Sequence, residues 1–317
     1  MDAIISHCSR DALALAAEKI RDGGLIAFPT ETVYGLGADA DNSEAVARIY
    51  KVKGRPADHP LIVHIADLDQ VDYWAHEIPD YAIALMRDYW PGPMTLILKR
   101  NNAKDFITGG QESVGLRMPA QQIALTLIKE FQNLGGHGIA APSANKFGAV
   151  SPTTAHAVQE EIGESLDFSR DQILDGGPCL VGVESTIIDC TGDSPRILRP
   201  GASTEEMIES STRLQPRERE EVIRVSGSLE QHYSPNAKVF MEGAIEEGDG
   251  FIALSEIPTP VGGIRLASPV SIEEFARVLY QSLRDGDKKG LARIKVICPN
   301  GPGLATAIRD RVMRASR

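Results

Sequence analysis

Two cations one residue apart, Lys53 and Arg55 in Lys53-Gly-Arg-Pro56, are the first candidates for chemistry in this sequence. They follow a short helical stretch, Ala45 to Tyr50. Upstream, Phe28-Pro-Thr-Glu-Thr-Val-Tyr-Gly-Leu-Gly37 runs from an apolar strand, Leu25 to Phe28, into a stretch that reads as a glycine-bearing loop. Gly35 and Gly37 there would let backbone approach a ligand where a Cβ would intrude. A lysine offers a point charge and an arginine a planar fork, the two standard ways of holding phosphate oxygens. An isolated Lys-x-Arg reads more plainly as a solvated helix end. Its place after the glycines and before Pro56 points to a bound anion. His59 and His64 come next, and His64, closing Leu61-Ile-Val-His64, is either a core histidine or a site residue.

Further candidates follow along the chain. Ala140-Ala-Pro-Ser-Ala-Asn-Lys-Phe-Gly148, reaching Ser151-Pro-Thr-Thr154, is rich in small residues that leave backbone and hydroxyl donors available to phosphate or sugar. Ser151 or Thr153 could instead cap the next helix; Ser143 and Asn145 lie too early for that. Arg117 sits in the apolar strand Ser113-Val-Gly-Leu-Arg-Met-Pro119 and needs an anion, either a structural carboxylate or a substrate carboxylate held by its fork. Gly182-Val-Glu-Ser-Thr186 adds the Ser185 hydroxyl. Leu198-Arg-Pro-Gly201 adds Arg199, which binds a ligand or closes a turn onto an acidic neighbour. The chain has no G-x-x-x-x-G-K-[ST] loop, no G-x-G-x-x-G after the first strand, no H-E-x-x-H and no G-x-S-x-G. Covalent catalysis therefore lacks a candidate nucleophile.

The elements that must position these residues alternate. Strand-like runs lie at 25–28, 61–65, 94–98, 114–118, 139–141, 173–174, 185–189 and 196–198, with helical patterns at 11–21, 43–52, 79–89, 120–133 and 153–162. This predicts an α/β layer architecture. Successive strands without helices near 94–118 and 174–199 predict antiparallel pairs and hence a mixed sheet. From about 203 to 231 the chain is charged and poor in core residues, a linker that begins as a short helix. A second α/β pattern then resumes, with strands at 238–241, 250–254 and 294–297 and helices at 271–285 and 304–314. Gly301-Pro-Gly303 before the last helix is a tight turn or an anion site.

With 317 residues, 42% hydrophobic and 24% charged, the chain has globular composition and room for two domains. A formal charge of -11 argues against a protein whose main task is gripping nucleic acid, although a local basic cleft fits. Cys8, Cys179, Cys190 and Cys298 form no C-x-x-C pair and read as structural thiols of a reducing compartment. No signal peptide or membrane-spanning run is visible, so the expected location is cytoplasmic.

Taken in order, these blocks resemble the YrdC/Sua5 family of threonylcarbamoyl-AMP synthases. The matching residues are Pro29–Gly37, Lys53-x-Arg55-Pro56, Pro60–His64, Pro91-Gly-Pro-Met-Thr95, Val114–Pro119, Pro142-Ser-Ala-Asn145, Ser151-Pro-Thr153, Val183–Ile187 and Leu198-Arg-Pro-Gly201. The segment after about residue 205, with His232-Tyr-Ser-Pro235, resembles the longer two-domain Sua5 branch. That resemblance implies a YrdC-like twisted mixed sheet flanked by helices, plus a small Rossmann-like α/β C-terminal domain. It divides the chain into a catalytic domain at 1–205, a linker at 206–235 that closes over the site, and a C-terminal domain at 236–317. The implied reaction makes threonylcarbamoyl-AMP and pyrophosphate from L-threonine, bicarbonate or CO2, and ATP with Mg2+. The product serves tRNA t6A37 modification and passes to separate transfer machinery. Carried over by motif, Thr32, His64, Arg117, Ser185 and the backbone near Ala141 surround threonine. Lys53, Arg55, His59, Ser113, Ser143, Asn145, Ser151 and Arg199 surround ATP, with Lys53 and Arg55 as the catalytic cations and Tyr233 folding over the occupied site.

In one place the chain departs from the family pattern. The family linker commonly reads Pro-Gly-Met before its His-Tyr pair, whereas this chain has Ser226-Gly-Ser228, which loosens φ and removes an apolar anchor. The alternative reading is an RNA-binding or regulatory protein of the same fold. A pure binding module does not need the combined Lys-x-Arg, Ser-x-Asn and Arg117 set. A hydrogenase-maturation carbamoyl-transfer enzyme shares a similar domain but carries cysteine pairs that are absent here.

Overall fold

The computed structural model describes residues 5–167, 169–217, 223–225 and 233–317. Ser226-Gly-Ser228 and His232 lie outside the described residues.

A mixed sheet of ten strands forms the larger unit. Its spatial order is Ile5–His7, Gln172–Asp175, Ile26–Phe28, Gly35–Asp39, Ile139–Ala140, Ile62–His64, Ser113–Arg117, Met94–Lys99, Thr186–Asp189 and Arg196–Arg199. The expected antiparallel pairs are present: Met94–Lys99 with Ser113–Arg117, and Thr186–Asp189 with Arg196–Arg199. The strand Gln172–Asp175 instead runs parallel to both its neighbours.

Residues 29–34 are a loop, but the two glycines that follow lie on a strand. Gly35–Asp39 is a strand, antiparallel to Ile26–Phe28. A Cβ on Gly37 would stand 2.7 Å from both Ile139 Cγ2 and Phe28 Cε1, and one on Gly35 would stand 3.3 Å from the Ala141 Cβ. Gly37 admits the Ile139 and Phe28 side chains to the sheet face, while Gly35, packed against Ala141, also lines the cavity described below. Period-two reading missed the strand because Gly-Leu-Gly-Ala offers almost no side-chain alternation.

Helices cover the sheet for legible reasons. Arg10–Arg21 starts at Ser9, whose hydroxyl accepts Ala12 N, and buries Leu13, Ala16, Ala17 and Ile20 against the helix Gln122–Asn133. Ser43–Lys53 starts at the Asn42 cap and stops at Gly54, left-handed at φ 64°. That stop fixes Lys53 as the last helical residue. Thr154, not Ser151 or Thr153, caps the helix Ala155–Ile162.

The C-terminal unit is a parallel four-stranded sheet in the order Lys238–Phe240, Arg293–Val296, Gly250–Ile252, Ile264–Ala267, with the helices Ile272–Lys288 and Leu304–Ala315. The strand Ile264–Ala267 was not anticipated, because no residue in it is buried. Gly301 and Gly303 both have positive φ, the geometry of a turn. One apolar cluster joins the two units: Val33, Val150 and Val183 pack with Tyr233, Phe275, Leu279, Tyr280 and Ile308.

Candidate active site

Nine of the expected site residues wall a single cavity: Thr32, Arg55, His64, Arg117, Ala141, Ser143, Ser185, Arg199 and Tyr233. Thr30 and Glu184 join them. With Tyr233 in the wall the cavity measures about 50 Å³. That is space for a few waters; small-molecule sites usually run from about 300 Å³ upward.

His64 and Arg117 are register partners on adjacent parallel strands, so the sheet itself sets them side by side on one face. The Arg117 guanidinium donates through Nη2 to Glu31 Oε1 at 2.6 Å, and Glu31 Oε2 accepts Ala120 N at 3.0 Å. Arg117 thus has its structural carboxylate and still reaches the cavity. Its Nε and the Nδ1 of His64 are buried without a protein partner, and such atoms call for a ligand or water. Burial, and then the Arg117 charge, push the His64 imidazole down to about 3. It is neutral at pH 7 and serves there as a hydrogen-bonding group rather than a proton carrier.

The sign of the resulting pH dependence follows from linkage. The folded chain holds His64 neutral where the unfolded chain, with an ordinary value of 6.5, protonates it. Its contribution to stability is complete above pH 6.5 and is lost as the pH falls through the window down to about 3. Within that window the slope reaches about 1.4 kcal/mol per pH unit. Urea unfolding of wild type and His64→Asn at several pH values should therefore show their stabilities converging as the pH drops from 6 to 4; parallel curves contradict this account.

Thr32 and Thr30 share a hydroxyl–hydroxyl bond of 2.8 Å, and Ser185 Oγ and Thr95 Oγ1 make another of the same length. Arg199 donates through Nη2 to the Ser185 carbonyl at 2.8 Å and to its hydroxyl at 3.2 Å. Its fork grips the Ser185 segment. Arg55 donates through Nη2 to the Pro60 carbonyl at 2.9 Å, and burial lowers its guanidinium to about 10.

The remaining expected residues stand behind the wall or away from it. Lys53 is 2% exposed, and its Nζ donates to the Ser143 and Asn145 carbonyls, each at 2.5 Å. It ties the helix end to the small-residue loop, and burial depresses its amine well below the ordinary value. Asn145 Nδ2 donates to the Lys146 and Ala149 carbonyls, leaving a buried Oδ1 without a protein partner. Ser151 donates to Glu184 Oε1 at 2.6 Å. The half-buried His59 ring meets Phe147 edge-on at 5.3 Å, and its value is lowered by burial and by Arg55. Ser113 lies on a separate apolar groove with Ile62, Ile97, Gly115 and Ile187, into which Val225 packs.

Glu184, inside Gly182-Val-Glu-Ser-Thr186, is a wall residue that sequence reasoning missed. Burial alone would raise its carboxyl, but the Arg311 and Arg199 charges hold it down at about 2. The available signal was an acid inside the apolar run Val183 to Ile187. Arg311 was missed too. It occupies the buried stripe of Leu304–Ala315 among Ile308, Val312 and Ala315, where a charge requires a partner.

Among the described residues, no three or more of His, Cys, Asp and Glu are grouped so as to hold a metal ion. Glu184 is already bonded by Ser151, Tyr280 and Arg311. Among the described residues, the cavity wall thus provides no carboxylate cage for a divalent cation. Among those residues, too, no helix is long and apolar enough to cross a membrane.

Comparison with known proteins places the chain in a family. The family model Sua5_yciO_yrdC, described as "Telomere recombination", matches residues 18–201, and the model "Threonylcarbamoyl-AMP synthase, C-terminal domain" matches residues 203–317. The threonylcarbamoyl-AMP synthase of Pyrococcus abyssi is 41% identical, covering 96% of this chain and 94% of that protein. That of Bacillus subtilis is 38% identical over 96% of this chain and 92% of its own length. Among solved structures, P. abyssi Sua5 complexed with L-threonine superposes with a TM-score of 0.87 at 38% identity, covering 99% of this chain and 97% of that one.

Proposed function

From the premise that the chain belongs to the Sua5/YciO/YrdC family and is an enzyme that makes threonylcarbamoyl-AMP, we propose that its cavity binds both L-threonine and ATP. In this reading Arg117 and His64 take the threonine carboxylate with Thr32, Ser185 and the Ala141 backbone nearby. Arg55 and Arg199 take the triphosphate, with Ser143 beside it. Lys53, Asn145 and Ser151 act from behind the wall by fixing the loop and Glu184. His59 and Ser113 border the nucleotide end. The reading makes the enzyme a nucleotidyltransferase that uses bicarbonate or CO2 as its third substrate. The observation that carries it is the convergence of three guanidinium groups on one cavity that also holds two unpartnered buried nitrogens.

The chemistry suits these groups. The threonine ammonium loses one proton to solvent, and the free amine attacks CO2 and releases a second proton to solvent, giving a carbamate. A carbamate oxygen then attacks the α-phosphorus, and pyrophosphate leaves with the electron pair of the broken P–O bond. No protein nucleophile takes part; positioning and charge neutralisation carry the reaction. Mg2+ supplies charge neutralisation on the leaving pyrophosphate when bound. At about 50 Å³ the cavity is too small for these substrates while Tyr233 fills its wall, so in this reading Tyr233 withdraws for entry and returns over the bound reactants. The product is the threonylcarbamoyl donor for tRNA t6A37 and passes to separate transfer proteins.

Incubation with ATP, Mg2+, bicarbonate and labelled threonine tests this. The label should appear in a threonylcarbamoyl-adenylate, with pyrophosphate formed only when threonine is present; pyrophosphate released equally without threonine overturns it. Arg55→Ala should lower kcat/KM for ATP by about ten- to a hundred-fold, the worth of one charge-assisted hydrogen bond. Its circular dichroism should stay native, and steady-state kinetics with ATP varied provides the check.

A further inference from the structure

The C-terminal unit touches the cavity wall through one buried polar knot. Glu184 Oε2 accepts the Tyr280 hydroxyl and Arg311 Nε, both at 2.8 Å, while Oε1 accepts Ser151. Arg311 Nη2 also donates to the Pro200 carbonyl at 3.0 Å, next to Arg199. The same guanidinium lies 5.4 Å from the centre of the Tyr233 ring, and that ring stacks on Tyr280 at 5.7 Å. Helix Ile272–Lys288 can come this close because Gly182 lacks a Cβ; one there would stand 2.4 Å from the Ala276 carbonyl.

We propose that Arg311 and Tyr280 are positioning residues of the synthase: by holding Glu184 and the Tyr233 ring in place, they let the C-terminal unit complete a cavity whose substrate-touching groups lie outside it. A buried ion pair contributes little stability compared with an apolar pair of the same shape. What it contributes here is a fixed place for an anion. Glu184 is ionised and stands in the wall of a cavity that, with the nucleotide reading above, must accept a triphosphate. Tyr280 and Arg311 hold its Oε2 from the C-terminal unit, and Ser151 holds Oε1 from the larger unit. Released, it turns to the Arg199 guanidinium and competes with the phosphates. Arg311 also braces the Pro200 carbonyl, so both chain segments flanking the nucleotide end share one anchor.

The test uses the full chain with Tyr280→Phe, which removes one hydroxyl, and Arg311→Lys, which keeps the charge but loses the fork. ATP and threonine are varied separately, and thermal unfolding is followed alongside. Each variant should raise the KM for ATP about tenfold, as expected for one lost bond to a charged group, and leave the KM for threonine within about twofold. A purely structural role would lower the amount of folded enzyme, and so kcat, without moving either KM. Unchanged KM for ATP in Tyr280→Phe overturns the proposal even if Arg311→Lys fails to fold. A wild-type chain that forms no threonylcarbamoyl-adenylate overturns the nucleotide reading as well, whereas an active wild type with unmoved variants overturns this proposal alone.

Discussion

Replacing Arg117 with methionine is expected to lower stability by about 3–5 kcal/mol and to raise the KM for threonine at least about tenfold. Two effects combine. The substitution strands Glu31, 6% exposed, whose Oε1 loses its 2.6 Å partner. It also removes the fork proposed to take the threonine carboxylate. The double variant Glu31→Gln/Arg117→Met separates them. Removing both charges should restore much of the stability, because no uncompensated ion is left buried. It should not restore threonine affinity. Urea unfolding and threonine-varied kinetics on wild type, single and double variants check this; a double variant that regains a wild-type KM for threonine refutes the role given to Arg117.

Lys53→Met should be nearly as damaging by a different route. Its Nζ is the shared donor to the Ser143 and Asn145 carbonyls. Leaving two buried acceptors unmade costs about 1–3 kcal/mol each. The loop that carries Ser143 into the cavity then loses its tie to the end of helix Ser43–Lys53, so turnover should fall for both substrates together. Arg55→Ala, by contrast, is expected to act mainly on ATP. Lys53→Arg should not rescue, since a planar fork does not fit where a compact ammonium sits between two carbonyls 2.5 Å away. Thermal melts with kcat and both KM values measured on the same samples decide it; an effect confined to the KM for ATP contradicts this role.

The site was legible where the sequence carried a chemical contradiction. An arginine on an apolar strand had to meet an anion, and Arg117 meets Glu31 while still facing the cavity. A histidine ending an apolar run was either a core or a site residue, and His64 is 4% exposed and stands in the cavity wall, as the proposed site role requires. What failed were inferences about distance. Lys53 and Arg55 read as a pair, but the helix ends between them, and the left-handed Gly54 sends one behind the wall and the other into it. The Gly35 and Gly37 stretch carries no side chains whose alternation could announce a strand. Its glycines answer to Phe28, Ile139 and Ala141, which are near in space and, for the last two, distant in sequence.

The C-terminal contribution was the least legible part. Glu184 and Arg311 are 127 residues apart, and no local pattern links them. Each was visible only as a charge in an apolar stripe. The fold class was easier, because alternating strand and helix periods are local signals, although the C-terminal strands at 238–240, 250–252 and 264–267 follow one another without a helix and still pair only in parallel.

A crystal structure of the enzyme with L-threonine and a non-hydrolysable ATP analogue examines the central claim most directly. It should show the threonine carboxylate on Arg117 beside His64 and the phosphates on Arg55 and Arg199, with the Tyr233 segment closed over both. Threonine or nucleotide bound elsewhere, with this cavity still at its present volume, would contradict the account.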